Sequence, residues 1–155
     1  MIRLQNPQDQ KSGPNCGVTA LAIVAGISFA EAWRLAKNAS GRPRFSGGMT
    51  DRDIGIALSL ANVDCQKVPD VMGMTVQNFA HMMNGNNKTY FVVSTDHAQV
   101  VQNGRVADQS GVFNIADFWG RRKKLRYAAE IIEPPEDLSV AAQTFGLPLF
   151  DQVGV

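Results

Sequence analysis

The chain has 155 residues, 45% of them apolar and 19% charged, with a formal net charge of +1, which fits one globular domain with a full core. That charge excludes the basic footprint of a nucleic-acid binder, and no apolar run approaches the roughly 18 residues a membrane span needs. Met1–Gln5 has no apolar signal-peptide core, and the two cysteines build no disulfide framework, so a reducing, cytoplasmic setting is expected.

Residues 1–15 hold Pro7 and the Ser12-Gly13-Pro14-Asn15 turn, and predict an extended arm ending in a loop. Gly17 to Ala25 is apolar almost all round, the pattern of a buried helix, and Gly26 ends it. Ser28 with Glu31 three residues on predicts a capping box for a second helix, through about Asn38, with Phe29, Ala32, Trp33, Leu35 and Ala36 on its apolar face. Gly41–Gly48 is a loop, and its Gly47-Gly48 pair suits either a rim over a cleft or a plain linker. Thr50 and Asp53 mark the start of a third helix over 51–61, Val63–Val68 is a short strand, and Thr75 caps a fourth helix stopped by Asn84-Gly85.

From Tyr90 the apolar period changes to that of strands. Asn103-Gly104 between two alternating runs predicts a two-residue hairpin turn. Ile115–Trp119 predicts a short helix or turn, Arg121–Lys124 a solvated basic turn, and Leu125–Ile132 a final strand before Pro134-Pro135. Helices first and antiparallel strands second is the α+β pattern. Residues 1–135 are expected to form the domain and 136–155 a tail.

The chemistry centres on Cys16, at the junction of a polar turn and the first helix. The first N–H groups of a helix lack internal partners, and its dipole favours a nearby negative charge, so a thiol there is expected to ionise below its free pKa of about 8.5. The same residue also reads as a small apolar side chain opening a core helix. With Asn103-Gly104 at the turn, Gln102 faces Arg105, Val101 faces Val106 and Gln99 faces Asp108. Side chains alternate along a strand, so His97, Gln99, Val106 and Asp108 share one face. His97 and Asp108 become diagonal neighbours within hydrogen-bond reach, and a carboxylate there fixes the imidazole tautomer. Gln99 is the competing orienter, and an incidental His and Asp at the open end of a hairpin is the bland alternative. His81 lies off the apolar face of its helix and reads as a surface residue. Cys65 reads as a structural thiol. Cys16, Cys65, His81 and His97 contain no closely spaced ligand pair, so no metal site is expected, and no glycine-rich segment has the context of a phosphate loop, so no cofactor is expected.

Gln10 six residues before Cys16-Gly17 at the head of a helix, followed by His97 and then Asp108 on strands, resembles the papain-like cysteine peptidase superfamily, and within it the C39-like peptidase group. The matching segments are Gln10–Ala22 and Ser94–Gln109. The resemblance implies an α+β papain-like fold, with the cysteine helix packed on an antiparallel sheet. It implies Cys16 as nucleophile, His97 as general base and acid, Asp108 as orienter, and Gln10 with the Cys16 N–H as oxyanion hole; Gln5 and Gln8 fit that last role less well. The His97-to-Asp108 spacing is tighter than the family often has. It further implies a hydrolase of peptide or isopeptide bonds working through a thioester. The alternatives are acyl transfer or deamidation at the same site, or a papain-like binding module without turnover. The expected partner is a peptide or protein substrate, with no nucleic acid and no membrane. The tail segment Gln143–Phe150 either docks on the domain's own core or forms a weak protein contact, distantly similar to sliding-clamp peptides.

Overall fold

Helix α1 spans Cys16–Ala25 and buries every residue from Gly17 to Val24, as its all-round apolar pattern requires. Gly26 closes it in the left-handed conformation (φ 66°). The computed structural model describes residues 1–134; the tail segment Gln143–Phe150 lies outside the described residues. Helix α2, Phe29–Ser40, leaves α1 at a bend of 114°. Its start is only half the expected capping box: Ser28 Oγ accepts from the Glu31 N–H, but the Glu31 carboxylate turns to Arg34. Asp9, on the N-terminal arm, accepts from the Phe29 and Ala30 N–H groups instead. Helix α3, Asp51–Leu60, has the full reciprocal box between Thr50 and Asp53. Helix α4, Val76–Met82, is capped by Thr75.

The strands are β1 (Asp64–Lys67), β2 (Thr89–Ser94), β3 (His97–Gln102), β4 (Arg105–Asp108), β5 (Gly111–Asn114) and β6 (Leu125–Ile132), with a 3₁₀ turn at Ile115–Asp117. They form one six-stranded sheet in the order β1-β6-β2-β3-β4-β5, antiparallel throughout. The molecule is therefore α+β, with four α-helices and an antiparallel sheet among the described residues. β5 has no counterpart in the sequence pattern, because Gly111-Val-Phe-Asn is too short and too weakly alternating to stand out. No single helix among the described residues is long and apolar enough to cross a membrane.

The period-two alternation of β3 and β4 feeds two cores. Ala98, Val100 and Ala107 join Val18, Leu21 and Phe91 under α1–α3, while Val101 and Val106 join Phe79, Tyr90 and Phe118 beneath α4. α1 packs directly on β3. The β3–β4 register is Val100↔Ala107, Val101↔Val106 and Gln102↔Arg105. Asn103 and Gly104 form the turn with φ 47° and 77°, the pair of positive values that a twist-matched two-residue turn demands. Phe91, fully buried between α1 and the sheet, should cost about 3–5 kcal/mol as Phe91→Ala. Thr50→Ala should cost only about 1 kcal/mol through the lost cap. Urea unfolding of both variants checks this; equal losses would mean that the core is not organised around Phe91.

Candidate functional site

Cys16 is the first residue of α1, half-buried, with its thiol free. The preceding loop is held rigidly: Asn15, 4% exposed, donates from Nδ2 to the carbonyls of Lys11 (3.1 Å) and Ser12 (3.4 Å). Because α1 packs against β3, the sulfur reaches that strand's first peptide, and the Ala98 N–H donates to Cys16 Sγ at 3.4 Å. His97, one residue earlier, is buried at the head of β3 and hydrogen-bonds the same thiol. Its Nε2 lies 2.9 Å from Asp108 Oδ2. With Nε2 donating to the carboxylate, Nδ1 is the ring nitrogen left for the thiol.

Asp108 is fully buried at the end of β4. Its Oδ1 accepts from the Ser110 N–H (2.8 Å), and its Oδ2 accepts from His97 and from the Trp119 indole N–H (2.9 Å). Burial alone would raise the Asp108 pKa, but these donors hold it below the usual carboxylate value. The same balance acts on His97: burial lowers it, and the hydrogen bond to Asp108, with the thiol, pushes it up to about 9. For Cys16, burial raises the pKa, but the His97 hydrogen bond, the Ala98 N–H and the imidazolium charge bring the thiol below its ordinary value. The signs combine simply. The thiolate forms at lower pH than an ordinary thiol's and the imidazolium persists up to about pH 9, so both shifts favour the proton on the ring over the proton on sulfur.

Trp119 is the residue that sequence reading missed. Its ring packs edge-on to His97, centroids 4.8 Å apart, and covers the His97–Asp108 bond while its N–H feeds the carboxylate. Lys123 lies 5.1 Å over that ring and donates to the Thr95 carbonyl, tying the loop to the turn that precedes His97. An aromatic in the segment between β5 and β6 gives no periodic signal, so only contact reveals it. Gln99 is fully buried, but its carboxamide bonds the Val92 carbonyl (2.7 Å) and Ser94 Oγ (3.4 Å), away from His97.

Gln10 holds its Oε1 under the Thr19 hydroxyl (2.9 Å) and donates from Nε2 to the Lys11 carbonyl (2.8 Å). It sits against the first turn of α1 but not among the residues lining the cavity over Cys16. Gln5 and Gln8 are exposed on the N-terminal arm. His81 is exposed on α4, and Cys65 is a free, exposed thiol on β1, its pKa raised by burial and by Asp64. No group of three metal-ligating side chains occurs among the described residues.

The cavity over Cys16 has a volume of about 480 Å³. It is lined by His97, Trp119 and Gln109, by Pro14, Gly47 and Gly48, and by the apolar side chains of Met49, Ile54 and Val93, and the ion-paired Asp51 and Arg126 line it too. Gly47 is confined by more than flexibility: its φ is 105°, and a Cβ there would lie 3.0 Å from the Pro14 carbonyl. Chemically, the arrangement can hold a thiolate beside an imidazolium whose other nitrogen is fixed by a carboxylate. Comparison of the chain with protein-family models and with curated proteins finds no match to either.

Iodoacetamide near pH 6 should therefore modify Cys16 at least about tenfold faster than Cys65, as expected of a thiol with a depressed pKa. His97→Ala should remove most of that difference, and Trp119→Phe part of it, by loosening the imidazolium. Peptide mapping by mass spectrometry reads the outcome; equal, slow modification of both thiols would mean that Cys16 is an ordinary core cysteine.

Proposed function

We propose that the chain is a papain-like cysteine hydrolase of the C39-like kind, cleaving a peptide or isopeptide bond through a thioester acyl-enzyme. The observation that carries this reading is the line Cys16–His97–Asp108 at the head of α1, with Nε2 of the ring committed to Asp108 and the ring beside the thiol. In the proposed reaction the Cys16 thiolate attacks the carbonyl carbon, and a C–S bond forms as the carbonyl electrons move to oxygen. That oxyanion meets the Cys16 N–H at the start of α1. Collapse breaks the C–N bond, and His97 gives its Nδ1 proton to the leaving amine. The neutral ring then takes a proton from water as that water attacks the thioester, releasing the acid and regenerating the ion pair. Asp108 stays ionised throughout and holds the ring in place.

Gln10 is the proposed second oxyanion donor. Its carboxamide is anchored one helical turn beyond the nucleophile, at Thr19, and one of its two Nε2 hydrogens is used by Lys11, which leaves the other for a ligand. An amine in place of water would make the same site a transferase, and a side-chain amide in place of the peptide bond would make it a deamidase. The reaction calls on groups of the chain itself, the partner is a peptide or protein, and a cytoplasmic location belongs to the same reading.

The experiment is turnover of a fluorogenic peptide library with trapping of the acyl-enzyme. Cys16→Ala should abolish both. His97→Ala should lower kcat/KM by about 10²–10⁴, and Gln10→Ala by about 10²–10³ with alkylation of Cys16 unchanged. The wild-type rate should fall on the alkaline side near pH 9, as His97 loses its proton. A reactive Cys16 that never yields a thioester with any acyl donor would overturn the hydrolase reading in favour of a binding module.

A further inference from the structure

The basic run Arg121–Lys124, with Arg126 just beyond it, has no part in the chemistry at Cys16. A loose turn would let such charges spread apart into water, but this one is pinned along its backbone. The carbonyls of Arg121 and Lys123 accept from the Gln77 and Val76 N–H groups at the start of α4, both at 2.9 Å. The Lys124 carbonyl accepts from the Thr95 N–H at 3.1 Å. Like charges are thus held close together, and their mutual repulsion is built into the fold. Among the described residues only Arg126 of this group has an ion-pair partner, Asp51. Arg122 and Lys124 are exposed.

This ridge begins at the cleft. Lys123 Nζ lies 5.1 Å over the ring of Trp119, and Trp119 lines the cavity over Cys16. Arg126 lines the same cavity, and a β-bulge accounts for its direction. Val93 pairs with Tyr127 and Ser94 with Leu125, so Arg126 is the extra residue without a partner across β2. Such a bulge re-aims a side chain out of the strand's alternation. The cavity's two carboxylates are Asp51 and Asp96. Asp51 is taken by Arg126, which leaves Asp96 outnumbered by the remaining cations, so the ridge stays positive.

We propose that this ridge docks acidic residues of the same peptide that Cys16 attacks, so that the preferred substrate carries Asp or Glu residues near the cleaved bond. Arg122 offers a planar fork that fits a carboxylate, and Lys124 a point charge beside it. The partner is a peptide rather than a nucleic acid for two reasons. The ridge adjoins the cleft that Cys16 lines, and the formal net charge of +1 lacks the broad basic footprint a phosphate backbone requires. The proposal rests on the cysteine-hydrolase reading of Cys16.

The test uses the full chain and fluorescein-labelled peptides of alternating Glu and Gly, with Gln in place of Glu as the neutral control. Fluorescence anisotropy is read on the Cys16→Ala protein, so that turnover does not consume the peptide. The Glu peptide should bind at least about tenfold more tightly than the Gln peptide at low salt, and the difference should fade by about 0.5 M salt as exposed charges are screened. Arg122→Glu with Lys124→Glu should erase the preference. Arg3→Glu with Lys37→Glu, which changes net charge equally at exposed positions on the N-terminal arm and α2, should keep it. In the wild-type chain the Glu peptide should slow iodoacetamide modification of Cys16 in proportion to its occupancy. No preference for Glu, equal losses in the two double variants, or binding that leaves Cys16 unprotected would each overturn the proposal. An oligothymidylate that displaces the Glu peptide at equal charge would overturn it in favour of a nucleic-acid surface. Slow modification of Cys16 by iodoacetamide alone would instead overturn the hydrolase reading beneath it.

Discussion

The hydrogen bond between His97 Nε2 and Asp108 Oδ2 is the contact on which the arrangement depends. A carboxylate with no solvent exposure loses its hydration, and that loss is recovered only when its lone pairs are filled. Asp108 recovers it from the Ser110 N–H, the Trp119 indole and the His97 ring. Each donor comes from a different part of the chain, so the carboxylate fixes the β4–β5 turn, the β5–β6 segment and the head of β3 together. Leaving such a charge unpaired costs about 3–5 kcal/mol, which makes the ring orientation a property of the whole sheet edge.

That contact is set in turn by the Asn103-Gly104 turn at the other end of the hairpin. The side-chain period of a strand is two residues, so a one-residue slip would send Asp108 to the opposite face. The positive φ values of Asn103 and Gly104 select the turn that forbids the slip. Asn103 is anchored besides, its Oδ1 accepting from the Gly85 and Asn87 N–H groups. This is why the pairing was legible in the sequence: turn chemistry and alternation are local, and they alone determine which residues of β3 and β4 share a face. The all-apolar run after Cys16 and the Thr50 cap of α3 were legible for the same reason. What was not legible is long-range. Asp9 takes over the cap of α2 from twenty residues away in sequence, Trp119 reaches Asp108 from a loop without a pattern, and Gln99 turns to Val92 because the β2–β3 pairing puts that carbonyl within reach. None of these has a period or spacing that a linear reading can detect.

The placement of the sulfur follows from packing rather than from polar contacts. Ala98 and Val100 bury their side chains under α1, which brings the N-terminus of that helix against the first peptide of β3. One strand thus supplies both the imidazole of His97 and, from the next residue, an N–H for the thiolate. The burial that makes ionisation of Cys16 costly is the same packing that delivers the groups offsetting it.

This balance also bears on the choice between an enzyme and a scaffold that merely binds. A buried ionic group is a poor source of stability: well-packed apolar replacements of similar volume are often neutral or better. A binding module would lose nothing if Asp108 and His97 were apolar, and it would avoid the desolvation of both. Here the carboxylate accepts from three donors, the ring is held through Nε2, and Trp119 packs over their bond while Cys16 lines an open cleft. Shielding the orienting bond while leaving the nucleophile accessible gives no advantage to folding. On the proposed reading, it serves a thiol that must ionise, attack and be released again.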